Sequence, residues 1–127
     1  MDVAYPCACC GHLTLDEPPG SHQICPVCFW QDDAVQMRWP DSGAGANKAS
    51  LLEGQHNFQR IGACDESAVR HVRRANDDEP LDPSWRPIDP AHDRFEPNGR
   101  QLAPWPDDRT VLYWWRYRDA GFWRVET

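Results

Sequence analysis

The chain has 127 residues and a formal net charge of −7, with no stretch near the roughly 20 apolar residues that cross a bilayer. The length allows one ordinary domain, and the acidic balance argues against duplex DNA as a partner. Twelve prolines, eight glycines and a mean hydropathy of −0.76 leave few aliphatic side chains, so seven tryptophans and a bound metal are the expected substitutes for a large aliphatic core. The charge is uneven: through Asp65 there are eight acidic and three basic side chains, and from Glu66 onward twelve and ten. Any basic face is therefore expected in the C-terminal half.

In chain order, the opening Met-Asp-Val-Ala-Tyr-Pro-Cys has neither the basic start nor the apolar run of a signal peptide, which points to the cytoplasm. Thiols stay reduced there, so cysteines in close-set pairs indicate metal binding rather than disulfides. Residues 5–30 are expected to form two metal-holding turns joined by a hairpin. A strand over residues 12–15 leads into the turn signal Asp16-Glu17-Pro18-Pro19-Gly20, and residues 21–24 return to the second cysteine pair.

After a turn-rich stretch over residues 40–47 comes the clearest helix signal. Ser50 is the N-cap, Glu53 completes a capping box, Leu51, Leu52, Phe58 and Ile61 lie near one stripe, and Gly62 supplies the stop. Gly54 weakens this helix. A shorter helix is expected to follow, capped by Asp65, with Val69 and Val72 inward and Arg70, Arg73 and Arg74 near its end. Residues 76–108, with seven prolines, read as an extended and poorly regular belt. Residues 110–117 alternate as a strand, Asp119-Ala120-Gly121 is a turn, and residues 122–125 return, which predicts a C-terminal aromatic β-hairpin. The expected fold is thus a small α+β metal-stabilised domain: a zinc-ribbon-like N-terminal hairpin, one or two short helices and that aromatic hairpin.

The chemistry resides in Cys7-x2-Cys10-x14-Cys25-x2-Cys28. Each pair can be turned so that both sulfurs face one ion about 2.3 Å away. Gly11 lets the backbone turn after the first pair, and Pro26 stiffens the second. Four thiolates close a tetrahedral zinc shell and leave no position for water or substrate, so the metal is expected to contribute folding energy and no catalysis. A thiol redox pair and an iron centre are the alternatives for the same cysteines.

Cys9 is either a bystander or a reactive thiol activated by the zinc, and Cys64 is either a core filler or a thiol at a helix N-terminus. The five histidines show no metal-binding spacing; His12 and His22 are the first substitutes should a cysteine fail. Asp32-Asp33, Asp77-Asp78-Glu79 and Asp107-Asp108 read as solvated loop residues, since none stands beside a nucleophile or a glycine-rich loop. The tryptophans Trp114, Trp115 and Trp123, interleaved with Arg109, Arg116, Arg118 and Arg124, can pack into the core, face a partner protein or stack the bases of a single strand.

The segments Tyr5-Pro6-Cys7-Ala8-Cys9-Cys10-Gly11, Leu13-Thr14-Leu15, Pro18-Pro19-Gly20, Ile24-Cys25-Pro26-Val27-Cys28-Phe29-Trp30 with Asp32-Asp33, and Gly45-Ala46-Asn47 before Ser50-Leu51 together resemble the bacterial cysteine-rich CPCC family. The likeness continues through Asn57-Phe58, Gly62-Ala63-Cys64 and Val72-Arg73 to Asp82-Pro83-Ser84-Trp85-Arg86-Pro87. It implies a zinc-binding domain without an established activity. Ala8 stands where the family motif has proline, which loosens the turn and removes no ligand.

On this basis residues 1–87 are assigned to a cysteine-rich zinc-binding domain, and residues 88–127 to a proline-rich belt and aromatic hairpin packed on the same core. The expected function is a non-enzymatic cytoplasmic zinc-binding protein, its structural zinc on Cys7, Cys10, Cys25 and Cys28, that acts by binding another, unidentified protein and no membrane. A thiol-based redox sensor or oxidoreductase is the first alternative, and single-stranded nucleic-acid binding the second.

Overall fold

Short antiparallel pairings and four capped helical segments organise the described residues, which are otherwise loop. The computed structural model describes residues 4–93, 95–97 and 100–116. β1 (Tyr5–Pro6) pairs antiparallel with β2 (Leu13–Leu15), Tyr5 opposite Leu15 and Pro6 opposite Leu13, with an irregularity between them. This hairpin encloses the first cysteine pair. The expected return of residues 21–24 onto β2 does not occur. Instead His22 N–H donates to the Asp32 carbonyl at 3.0 Å and Ile24 bridges Gln31, so the second pair has its own closing flanks. Each Cys-x2-Cys turn needs its two flanks side by side, and β2 serves as the second flank of the first loop.

α1 (Ala34–Arg38) has no counterpart among the expected elements. Asp33 starts it: one carboxylate oxygen accepts from Val35 N–H and Gln36 N–H, and the other from Ala46 N–H at 2.8 Å. Asp32 is likewise interior, accepting from Gly20 N–H, Ser21 N–H and Ser21 Oγ. The solvated-loop assignment therefore fails for this pair, which is 3% and 5% exposed. Burial raises the pKa of Asp32 against the pull of those three donors.

α2 (Leu51–Ile61) forms as its end signals dictate. Ser50 Oγ accepts from Glu53 N–H, Glu53 reaches back to Ser50 N–H, and Gly62 closes the helix at φ 76°. Leu51 is fully buried, Leu52 and Phe58 pack at the edge of the core, and Ile61 is partly exposed. Gly54 has a packing reason: a Cβ there would stand 3.1 Å from Trp30 Cζ3 and 3.3 Å from Cys9 Sγ. The absence of a side chain lets the helix seat on the tryptophan.

The shorter helix is a 3-10 segment, Glu66–His71, capped by Asp65 as expected. With three residues per turn its buried face is set by Ala68; Val69 is turned to solvent, 48% exposed, contrary to expectation, whereas Val72 packs on the core.

Residues 72–108 contain no helix or named strand among the described residues, and side-chain hydrogen bonds hold this belt in place. Gln55 donates to the Ala8 carbonyl and accepts from Ile88 N–H. Asp93 takes both ends of the Arg86 guanidinium, and Asp82 accepts from Ser84, Trp115 Nε1 and Arg116. Glu96 reaches Arg38.

The expected strand over residues 110–117 is absent from its described part. Arg109–Leu112 is a 3-10 turn capped by Asp108, and residues 114–116 continue as a turn. Leu112, Tyr113, Trp114 and Trp115 are at most 6% exposed. The coiled backbone of this turn, rather than an extended strand, carries these four consecutive side chains into the core. Residues 122–125 lie outside the described residues. Trp114 and Trp115 belong to the same buried cluster as Cys7, Cys10, Cys25, Cys28 and Ile88. No helix among the described residues is long and apolar enough to cross a membrane.

Candidate metal centre

Both cysteine pairs sit in loops of the same local design. In the first, Cys7 N–H donates to the His12 carbonyl at 2.9 Å and Gly11 N–H to the Cys7 carbonyl at 2.7 Å. In the second, Cys25 N–H donates to Trp30 at 2.9 Å and Phe29 N–H to Cys25 at 2.8 Å. The fifth residue of each loop is left-handed: Gly11 at φ 81°, Phe29 at φ 70°. For Phe29 this conformation costs about 1–2 kcal/mol, offset in part by a ring stack on His71 at 4.8 Å. At Gly11 a side chain is excluded outright, because a Cβ would come within 2.5 Å of Trp85 Cδ2 and 2.8 Å of Leu81 Cδ1.

Neighbouring elements fix the two loops. Trp85 Nε1 and Gln55 Nε2 both donate to the Ala8 carbonyl. The Ala8 N–H takes part in no hydrogen bond among the described residues, so the proline found here in the family motif would forfeit no bond. The second loop is held by Cys64 N–H on the Cys28 carbonyl at 2.9 Å and Arg73 N–H on the Pro26 carbonyl at 3.3 Å. Thr14, on β2, crosses from one loop to the other and donates to Cys25 Sγ at 3.1 Å.

The loops bring Cys7, Cys10, Cys25 and Cys28 together, with all four Sγ atoms within 4.8 Å of one another. Cys7 Sγ lies 3.6 Å from Cys28 Sγ, and Cys10 Sγ lies 3.8 Å from Cys25 Sγ. Sulfurs about 2.3 Å from a common centre at tetrahedral angles stand about 3.8 Å apart. The donor set therefore fits a soft or borderline divalent cation. All four residues are at most 1% exposed.

Burial pushes the Cys7 and Cys28 thiols well above their ordinary range. Cys10 moves the same way, chiefly because it donates to Cys25. Cys25 is driven down, since Cys10, Cys28 and Cys7 donate to its sulfur and Thr14 adds a fourth donor. A bound cation would displace the thiol protons of the set.

Cys9 is not part of the cluster. It is fully buried, and its sulfur faces α2 at Gly54. Burial raises the Cys64 pKa to about 12, with smaller contributions from Cys9 and Asp65. No histidine joins the four sulfurs among the described residues, and His12 instead bonds the Glu79 carbonyl through Nδ1 at 2.8 Å. Asp77 and Asp78 are exposed, as expected of loop residues. Sequence reasoning missed Thr14; the only signal was its place on the strand leaving the first loop.

Of the tryptophans expected in the core or on a surface, Trp114 and Trp115 are interior. Trp114 is fully buried, Trp115 donates to Asp82, and Arg116 is paired with the same carboxylate. Trp123, Arg118 and Arg124 lie outside the described residues.

The cysteine-rich CPCC family model matches residues 5–79, more than half of the chain, and spans all four clustered cysteines. The segment 82–87 lies beyond that match. No curated protein matches the chain. The match and the four-sulfur cluster coincide on the same residues, and the chain belongs to the cysteine-rich CPCC family.

Proposed function

We propose that Cys7, Cys10, Cys25 and Cys28 hold one zinc ion as thiolates, and that the ion maintains the fold of a non-enzymatic protein-interaction module in the cytoplasm. The sulfur spacing carries this proposal: two contacts of 3.6 and 3.8 Å match the edges of a tetrahedral four-thiolate shell. The matched pair of Cys-x2-Cys loops supports a zinc-ribbon-like centre. Burial of all four residues supports a closed shell, in which zinc offers no site to water or substrate. Tetrahedral four-sulfur sites take zinc or iron, and zinc, which undergoes no redox change, is the one that matches a purely structural role. A reducing compartment keeps the six thiols available to the metal.

Against the redox alternative stand the burial of Cys9 and Cys64 and the raised pKa of Cys64, which keep these thiols from presenting a reactive thiolate. Alkylation of the purified protein with iodoacetamide, read by mass spectrometry, separates the two. The zinc reading expects one zinc per chain and no rapid labelling, with all six cysteines modified after chelation and denaturation. A metal-free, folded protein with two rapidly labelled sulfurs would contradict it.

A further inference from the structure

Next to the second cysteine loop is an open groove of about 450 Å³. Val27 of that loop, Phe58 and Ile61 of α2, and Val72 line it, with Arg73 and Arg74 at the rim. Val27 is buried, whereas Phe58, Ile61 and Val72 are of intermediate exposure, and Val69, three positions before Val72, is exposed. Arg73 is engaged by Glu79 through two hydrogen bonds of 2.6 and 2.9 Å. The side chains of Arg70 and Arg74 make no hydrogen bond or ion pair among the described residues. Within a chain of net charge −7, three arginines fall in the five positions 70–74. An apolar trough whose lining includes the unpaired cation of Arg74 is complementary to a segment that combines large apolar side chains with a carboxylate.

We propose that this groove docks an acidic peptide segment of a partner protein, one large apolar side chain entering between Phe58, Ile61 and Val72 while a flanking carboxylate meets Arg74. This rests on the interaction-module reading above and specifies its partner chemistry. The groove is also tied to the metal centre. Val27 lies between Cys25 and Cys28, and Arg73 N–H bonds the Pro26 carbonyl, so the second loop forms one wall of the trough.

The test uses the full-length zinc-loaded protein and a fluorescein-labelled probe peptide, Glu-Asp-Phe-Glu-Asp-Leu-Glu, followed by fluorescence anisotropy and by amide chemical shifts. Saturable, salt-weakened binding is expected, with shifts at residues 58–62 and 72–75. Affinity should fall at least about tenfold in Arg74→Glu and in Ile61→Ser, and likewise when Lys replaces the acidic positions of the probe or Ser its Phe and Leu. Arg74 is exposed, so its variant keeps the test decisive if Ile61→Ser disturbs the fold.

Affinity unchanged within about twofold in Arg74→Glu would overturn the proposal. Equal binding of the Lys-substituted probe, or of a single-stranded oligothymidine, would also overturn it. Shifts confined to another face would overturn the groove while leaving the interaction module standing. No shift with any probe would count against both. A dimer that forms through these residues and is broken by Arg74→Glu would replace the acidic segment with a second copy of the chain.

Discussion

Replacing Cys25 with serine, or withdrawing zinc with a strong chelator, is expected to abolish the cooperative fold. The two strands have two and three residues, and α2, with eleven, is the longest element among the described residues. Isolated elements of this size are marginal in water, so their order derives from what they pack on. They pack on the cysteine loops: α2 sits on Trp30 and Cys9, and the belt is bonded to the Ala8 carbonyl through Trp85. A structural four-cysteine zinc site supplies about 10–16 kcal/mol, against a net stability of about 5–15 kcal/mol for a small domain. Loss of the site is therefore comparable to the whole margin.

Trp30 and Trp114 are at most 1% exposed in the fold, so the readout is a red shift of tryptophan emission together with loss of the cooperative melt. Cys64→Ala is the control. Its thiol lies outside the cluster, so the variant should retain one zinc and lose about 1 kcal/mol. A Cys25→Ser protein that melts cooperatively near the wild-type temperature would show that the fold does not depend on the metal.

The second large effect is expected at Arg38. This guanidinium is fully buried in α1, with Nε and Nη2 on the two Glu96 oxygens, Nη2 also on the Ala103 carbonyl at 2.6 Å, and the charge 4.7 Å from the Trp105 ring centre and 5.2 Å from that of Trp39. Arg38→Met should cost about 3–5 kcal/mol, because it strands the Glu96 carboxylate, and Glu96→Gln should cost a similar amount by stranding the cation. The double change Arg38→Met with Glu96→Leu should recover much of that loss, since neither charge is then left unpaired.

Burial raises the Glu96 pKa, but Arg38 and the Leu102 N–H pull harder and leave it lowered. A lowered folded-state pKa places this stabilisation fully above the unfolded value near pH 4.3 and removes it as pH falls through the folded value. Urea melts of the four proteins at pH 7 check the coupling. Single changes that cost under about 1 kcal/mol each would contradict it.

What could be read along the chain followed the range over which each signal acts. Ser50, Glu53, Gly62 and Asp65 specify their helix ends through bonds spanning a few residues, and all four behave as read. The four clustered cysteines were equally visible, because two close pairs need only short turns. Pairing between strands was not: β2 was assigned the wrong neighbour, since Leu13-Thr14-Leu15 can pair equally well before or after the turn.

The interior polar groups were hidden for a different reason. Glu96 lies 58 positions from Arg38, and Asp82 lies 33 from Trp115, so no local pattern marks either carboxylate as buried. Asp32 and Asp33 looked like loop residues because two adjacent aspartates beside a turn are more often in water; here each satisfies three backbone or hydroxyl donors inside the fold. The alternation over residues 110–117 misled because an aromatic run has the same pattern whether one face or every face is buried. The belt needs large interior side chains on all sides, and residues 112–115 supply them.

The proposed centre is four sulfurs sharing one ion. X-ray absorption at the zinc edge of the purified protein, with metal content measured on the same sample, tests this most directly. One zinc per chain with a single shell of four sulfurs at about 2.3 Å is the expected result. Iron in the site, a shell containing nitrogen or oxygen, or a folded protein with no stoichiometric metal would contradict it.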